Sequence, residues 1–247
     1  MIRVGVVLGL IFICALPAGA SDEKVLAGVA ANFMMPFQEM AAAFEKESGI
    51  HVESVFTSTG KLYAQIRNGA PYDIFLAADE ERPELLFRDG LSGKPFVYAM
   101  GEVVLWSADR DFCARFADWE EAVRSNEVKR LAIANPESAP YGAAAVSALK
   151  ASGLFDSLQA KYVFPQDIGQ TFQYASTGAV QAGFCALSSA VTDQGKEGCY
   201  YTITQAPKVT QAACVLTRTN NREAAEKFAA FLLTPAGIQI KEKYGYR

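Results

Sequence analysis

The chain holds one histidine and two tryptophans among 247 residues. With His51 alone, no Ser-His-Asp or Cys-His catalytic arrangement exists unless that one residue is recruited. It stands in the alternating stretch His51-Val52-Glu53-Ser54-Val55-Phe56, which reads as an ordinary, partly exposed strand. Basic clusters are missing as well. Lys and Arg number 23 against 27 Asp and Glu, for a net charge of −4. They form no run, which excludes an electrostatic face for nucleic acid. After the first twenty residues no uncharged apolar stretch reaches membrane length, so the mature protein is not expected to be integral to a membrane. Cysteine is sparse, and Cys113, Cys185, Cys199 and Cys214 match no zinc spacing.

What the N-terminus does have is an address. Arg3 precedes an apolar run from Val4 to Leu16, and Ala18-Gly19-Ala20 supplies the small-residue pattern of a signal-peptide cleavage site. Residues 1–20 are therefore expected to be a leader cut before Ser21. Cys14 follows Ile13 rather than a small residue, which argues against a lipid anchor. An exported protein can form disulfides. Cys199 and Cys214 lie on two apparent strands either side of Pro207 and are the expected pair, while Cys185, in the apolar run Gly183-Phe184-Cys185-Ala186-Leu187, is expected to be a buried thiol.

Short apolar runs alternate with amphipathic helical stretches, the pattern of an α/β fold with parallel sheet. Val25–Ala30 is the first expected strand. A helix follows, with Phe33, Phe37, Met40, Ala41 and Phe44 on one face and Gly49 as its stop. His51–Phe56, a helix over 62–68 and the strand Ile74–Ala78 complete one unit. After a Gly/Ser/Pro loop at 90–95, strands at Gly101–Trp106, Arg130–Ala134 and Gly183–Leu187, with helices near 143–151 and 170–175, make a second. A strand at Gln211–Leu216 and a helix at Glu223–Leu233 are left over. Two lobes follow, the chain crossing between them twice: lobe I from 21–100 and 208–247, lobe II from 101–207.

In open α/β sheets ligands bind beyond the carboxyl ends of strands, where helices begin with unpaired N–H groups that favour an anion. Four such turns are rich in small or hydroxyl residues. They are Ala30-Ala31-Asn32-Phe33, Thr57-Ser58-Thr59-Gly60-Lys61, Asn135-Pro136-Glu137-Ser138-Ala139-Pro140-Tyr141-Gly142 and Pro165-Gln166-Asp167-Ile168-Gly169-Gln170. Taken singly, Asn32, Ser58 and Asp167 read equally well as helix caps, and Tyr141 as a packed aromatic. Two turns per lobe make the joint case.

These turns, with Ser58-Thr59-Gly60-Lys61-Leu62-Tyr63-Ala64-Gln65-Ile66, the run from Asn68 to Asp79 and the closing Lys243-Tyr244-Gly245-Tyr246, resemble the periplasmic molybdate-binding proteins of ABC transporters over nearly the whole mature chain. The resemblance implies a two-lobed periplasmic-binding-protein fold of type II, each lobe a mostly parallel sheet flanked by helices, with the ligand in the cleft. It implies Ala31, Asn32, Ser58 and Thr59 as ligand-binding residues of lobe I, and Tyr141 with the backbone N–H of Ile168 from lobe II. Thr59 stands where many members have a second serine. Ala186 stands where one branch has a tyrosine, and the chain fits the branch with Asn32, Tyr141 and Ala186. The implied role is capture of molybdate or tungstate by lobe closure in the periplasm, for the permease and ATPase of an ABC importer. No catalysis, cofactor or direct metal-cation ligand is expected, and a monomer is. The alternatives are a carrier of sulfate, phosphate or a small phosphorylated organic acid, or a surface antigen built on the same fold.

Overall fold

A computed structural model describes residues 24–247, so the expected leader and its cleavage point lie outside the described residues. The chain runs β1 Lys24–Ala30, α1 Met34–Ser48, β2 His51–Thr57, α2 Thr59–Arg67, β3 Ile74–Leu76, α3 Glu81–Arg88 and β4 Phe96–Gly101. It continues through β5 Val103–Ser107, α4 Phe112–Arg115, α5 Trp119–Arg124, β6 Leu131–Ile133, α6 Pro140–Ala151, β7 Tyr162–Val163 and α7 Ile168–Ser176. β8 Ala182–Ala186, α8 Leu187–Ala190, β9 Cys199–Thr202, β10 Val209–Val215, α9 Arg222–Phe231 and α10 Pro235–Lys243 complete it.

Two sheets result, ordered β2-β1-β3-β10-β4 in lobe I and β7-β6-β8-β5-β9 in lobe II. In the first, β1 pairs parallel with β2 and β3, and β10 antiparallel with β3 and β4. In the second, β6 pairs parallel with β7 and β8, and β5 antiparallel with β8 and β9. The two-lobed α/β architecture is thus present, each sheet mixed: its antiparallel side is made by the strands that carry the chain between lobes. The chain leaves the first sheet at Gly101, enters the second at Val103, leaves it at Thr202 and returns at Val209. The expected strand at Gly101–Trp106 is two strands in different sheets, parted by Glu102.

Both faces of each sheet are covered, which is why the central strands are apolar throughout. On one face of the first sheet Phe37 and Phe44 of α1 meet Phe228 of α9 edge-to-face at 5.4 and 5.2 Å between ring centres. On the other, Leu62, Ile66 and Leu86 of α2 and α3 pack on Phe75 and Cys214. Gly49 ends α1 in the left-handed conformation, φ 73°, its N–H donating to Glu45 O at 2.8 Å. In the second sheet Leu105, Ile133 and Phe184 face α6, and Val104, Trp106 and Ala132 face α7.

The disulfide joins Cys113 of α4 to Cys199 of β9, which corrects the expected Cys199–Cys214 pairing. The reason is the strand exchange: Cys214 sits on β10 opposite Phe75 in lobe I, whereas Cys199 begins β9 in lobe II. Cys214 and Cys185 are free and buried, and burial pushes the Cys214 thiol up to about 12. His51 is exposed on β2 and its Nδ1 faces a Glu45 carboxylate oxygen at 3.1 Å. Among the described residues no helix is long and apolar enough to cross a membrane.

Candidate functional site

The four turns converge. Ala31, Asn32, Ser58, Thr59, Tyr141 and Ile168 all line one small cavity between the lobes, walled otherwise by Ala30, Ala78, Ala139, Pro140 and Asp167. Each reaches it at the start of a helix. A 3₁₀ turn, Ala31–Phe33, leads into α1; Thr59 opens α2, Pro140 opens α6 and Ile168 opens α7.

Three of these starts have no side-chain cap. Ser58 occupies the N-cap position of α2 with extended backbone, yet its hydroxyl caps nothing and, buried at 3 % exposure, has no hydrogen-bond partner. Thr59 is 1 % exposed; its Oγ1 accepts from the Ala78 N–H at 2.9 Å, which leaves its own proton to give. Pro140 has no N–H, so the first donor of α6 belongs to Tyr141. In α7 the Asp167 carboxylate takes the Gln170 N–H at 3.0 Å, which leaves the main-chain N–H groups of Ile168 and Gly169 at the helix tip.

Asn32 is not a helix cap either. Its Nδ2 donates to Gln211 Oε1 at 2.7 Å and to Tyr246 Oη at 3.0 Å, while its Oδ1 is buried without a partner. Gln211 Nε2 in turn donates to Tyr141 Oη at 3.2 Å, and Tyr98 Oη donates to Gln211 Oε1 at 3.1 Å. Ser188 of lobe II donates to Asn32 O at 2.8 Å, and Tyr246 Oη to the same oxygen at 2.8 Å. The Tyr141 phenol accepts from Gln211 within a buried network behind the cavity, and at the helix start itself Tyr141 presents its N–H. Burial holds the Tyr98, Tyr141 and Tyr246 phenols above the ordinary tyrosine range.

Among the described residues no lysine, arginine or histidine lines the cavity. Its positive potential comes from helix starts alone, each an N–H cluster with the dipole behind it. The cationic Lys61 instead spans the mouth, donating to Gln166, and Arg82 Nη2 donates to Glu137 O at 3.0 Å while pairing with Asp79. A larger cleft of about 540 Å³ opens beside the cavity, with Met34, Met35, Phe56 and Phe172 in its wall; its size and apolar lining do not suit a small ion.

The family profile of the bacterial extracellular solute-binding proteins matches residues 25–247. The chain belongs to that family. Among solute-binding proteins, it is 39 % identical over 243 residues to the molybdate-binding protein ModA of Rhodobacter capsulatus, a match covering 97 % of this chain and 93 % of that one. It is 38 % identical to ModA of Azotobacter vinelandii over 236 residues, covering 94 % and 92 %. The solved periplasmic molybdate-binding protein of A. vinelandii superposes with a TM-score of 0.85 at 32 % identity, over 90 % of this chain and 98 % of that one.

In this solute-binding protein the turns at the strand ends contain all six residues that the resemblance implies, and the structure gathers those six in one cavity wall. The turns did not disclose the network behind them. Gln211, fully buried on β10, was visible as a lone polar residue in the apolar run Gln211-Ala212-Ala213-Cys214-Val215-Leu216. Tyr98 carried no such signal, because a tyrosine in the apolar run Phe96-Val97-Tyr98-Ala99-Met100 reads as packing, and Tyr246 was marked only as part of the closing motif of the resemblance.

Proposed function

We propose that this solute-binding protein captures molybdate or tungstate in the cavity between its lobes, in the periplasm, and hands it to the permease and ATPase of an ABC importer. The observation that carries the reading is the buried, unpartnered Ser58 hydroxyl at the meeting point of four helix starts. A polar group buried without a partner costs about 1–3 kcal/mol, and a tetrahedral oxyanion is the partner that would repay it. Ser58 and Thr59 give O–H donors; Ala31, Tyr141 and Ile168 give main-chain N–H groups. Asn32 joins them by a half-turn of its amide, which exchanges Oδ1 for Nδ2 at the free end. Gln211 turns with it, since an amide offers a donor at one end and an acceptor at the other.

Hydrogen bonds to a charged oxygen contribute roughly 1.5–3 kcal/mol each. Four or five of them sum to roughly 6–15 kcal/mol, a range that spans the roughly 8 kcal/mol that micromolar binding requires. No counter-cation and no resident cofactor is called for. The role is carriage rather than turnover: Asp167, the one carboxylate in the wall, is engaged as a helix cap. Neutral donors do not distinguish molybdate from sulfate by charge, so selection rests on size. The lobes are assigned as 21–100 with 208–247, and 101–207, a division supported by the two crossings at Glu102 and between Thr202 and Val209. The carrier acts as a monomer.

A thermal-shift panel of the wild-type protein with molybdate, tungstate, sulfate, phosphate and simple organic anions tests the reading. A large shift with the first two alone is expected. A shift confined to sulfate or to a phosphorylated organic acid would reassign the ligand, and no shift with any anion would point to a vestigial cavity.

A further inference from the structure

Selection by size needs a stop. If the lobes could keep closing, their donors would follow a smaller ion inward and hold it as well as a larger one. Bonds made by flexible side chains cannot serve, since they yield by an ångström at little cost. Across the mouth of this cavity, Lys61 to Gln166 and Arg82 to Glu137 O are of that yielding kind.

Gly60 is different. It is the second residue of α2, and its main-chain N–H donates across the cleft to Ser138 O at 2.9 Å. A Cβ placed on it would lie 2.9 Å from Ser138 Cα and 3.1 Å from both Ser138 Cβ and Ser138 O. Main chain meets main chain here, with no flexible atom between. The contact is next to the cavity on both sides: Thr59 precedes Gly60, Ala139 follows Ser138, and both line the wall. The backbone of Gly60 lies outside the left-handed region, so the glycine is not required by its own conformation. What requires it is the distance to the other lobe.

We infer that the Gly60–Ser138 backbone contact is the hard stop of lobe closure, and that it makes Gly60 a specificity-determining residue by fixing the spacing between the donors of the two lobes. This rests on the oxyanion-carrier reading. A methyl group at position 60 halts the lobes before the donors of α6 and α7 reach an ion held by lobe I. All tetrahedral ions then lose affinity, the smaller ones most.

The test is Gly60→Ala, with Ser138→Ala and Lys61→Ala as companions. Alanine favours the helix over glycine, so Gly60→Ala is expected to fold and its ligand-free melting temperature to hold or rise. By calorimetry its affinity for molybdate is expected to fall at least tenfold. The decrease in radius of gyration that molybdate induces in the wild type is expected to shrink or vanish in small-angle scattering. Ser138→Ala, which leaves the main-chain contact intact, and Lys61→Ala are expected to stay within threefold of wild type. A Gly60→Ala protein that binds molybdate within threefold of wild type and compacts to the same extent overturns the inference while leaving the carrier reading standing. A wild type that binds no oxyanion removes the carrier reading, and the stop with it.

Discussion

Lobe I meets the cavity mostly with side chains, and lobe II meets it with main chain. Among the described residues the two buried side-chain polar atoms without partners, Ser58 Oγ and Asn32 Oδ1, both belong to lobe I, as does the Thr59 hydroxyl. From lobe II come the tips of α6 and α7, where Tyr141 and Ile168 contribute N–H groups while the Tyr141 phenol and the Asp167 carboxylate are engaged elsewhere. The difference teaches where substitution should hurt. Apart from the Ala31 N–H, lobe I's contribution lies in side-chain chemistry and can be deleted one group at a time. Lobe II's lies in helix placement, and it tolerates new side chains while the helices keep their starts.

The largest expected effect breaks the lobe I side. Asn32→Asp places a carboxylate against a doubly negative ligand in a site without a cation, and binding is expected to fall by more than a thousandfold, about 4 kcal/mol. Isothermal calorimetry on the folded variant measures it; micromolar binding retained would remove Asn32 from the ligand shell. The matched change in lobe II, Ile168→Val, keeps the N–H and is expected to leave affinity within about twofold.

The lobes also differ in how they are held. Lobe II carries the Cys113–Cys199 disulfide across 86 residues of chain, and among the described residues lobe I has none. Loop-closure entropy for that separation amounts to about 4 kcal/mol. Replacing both cysteines with serine is expected to lower stability by up to that amount in urea unfolding. A loss well under 1 kcal/mol would mean that the core of lobe II holds without its staple.

A single neutral donor comes next. Ser58→Ala removes one hydroxyl and little volume, so the expected loss is about 1.5–3 kcal/mol, or roughly ten- to hundredfold in affinity. Because the hydroxyl has no partner in the protein, the ligand-free melting temperature should hold or rise. A fall in stability with unchanged affinity would show that Ser58 serves the fold rather than the ligand.

The contrast between lobes was only half legible in the sequence. The turns were visible because strand ends, small residues and helix starts are local; patterning alone left Ser58 open as a cap and Tyr141 as packing, and the resemblance singled out Ser58, Thr59, Tyr141 and Ile168 within them. The network partners were not, since Asn32 meets Gln211 across 179 residues and Tyr246 across 214, and nothing local encodes such meetings. The same limit hid β4. Phe96–Gly101 and Val103–Ser107 are parted by Glu102 alone, and which sheet each joins is decided by tertiary pairing. The disulfide was misplaced although the second crossing was expected: the division at 207/208 already separates Cys199 from Cys214, and their closeness along the chain outweighed it in the reading.

Tyr141→Phe sharpens the comparison from the lobe II side. The phenol lies over the crossing between lobes; a Cβ on Gly101 would come within 1.9 Å of its oxygen. Removing it leaves Gln211 Nε2 short of an acceptor without touching the Tyr141 N–H at the start of α6. The expected outcome is a stability loss of about 1–2 kcal/mol and an affinity loss of a few fold, equal for molybdate and tungstate. A change in the ratio of the two affinities would place the phenol at the ligand after all.

The smallest effect near neutrality is that of pH, and its alkaline limit tests the seam where the lobes join. Tyr98 and Tyr246 of lobe I and Tyr141 of lobe II keep their protons because burial raises all three above the ordinary value of about 10. No histidine or free thiol lines the cavity, so affinity is expected to be flat from about pH 7 to pH 9. Above pH 10 the unfolded chain releases phenolic protons that the folded protein still holds. Stability contributed by the three phenols is therefore complete below about pH 10 and is lost as pH climbs toward their folded values. Urea unfolding at successive pH values should be level to about pH 9 and then decline. In Tyr141→Phe the decline should be shallower, since one of the three protons is gone. Equal slopes in the two proteins would mean that Tyr141 titrates in the folded state as it does in the unfolded chain, and that the seam is open to water.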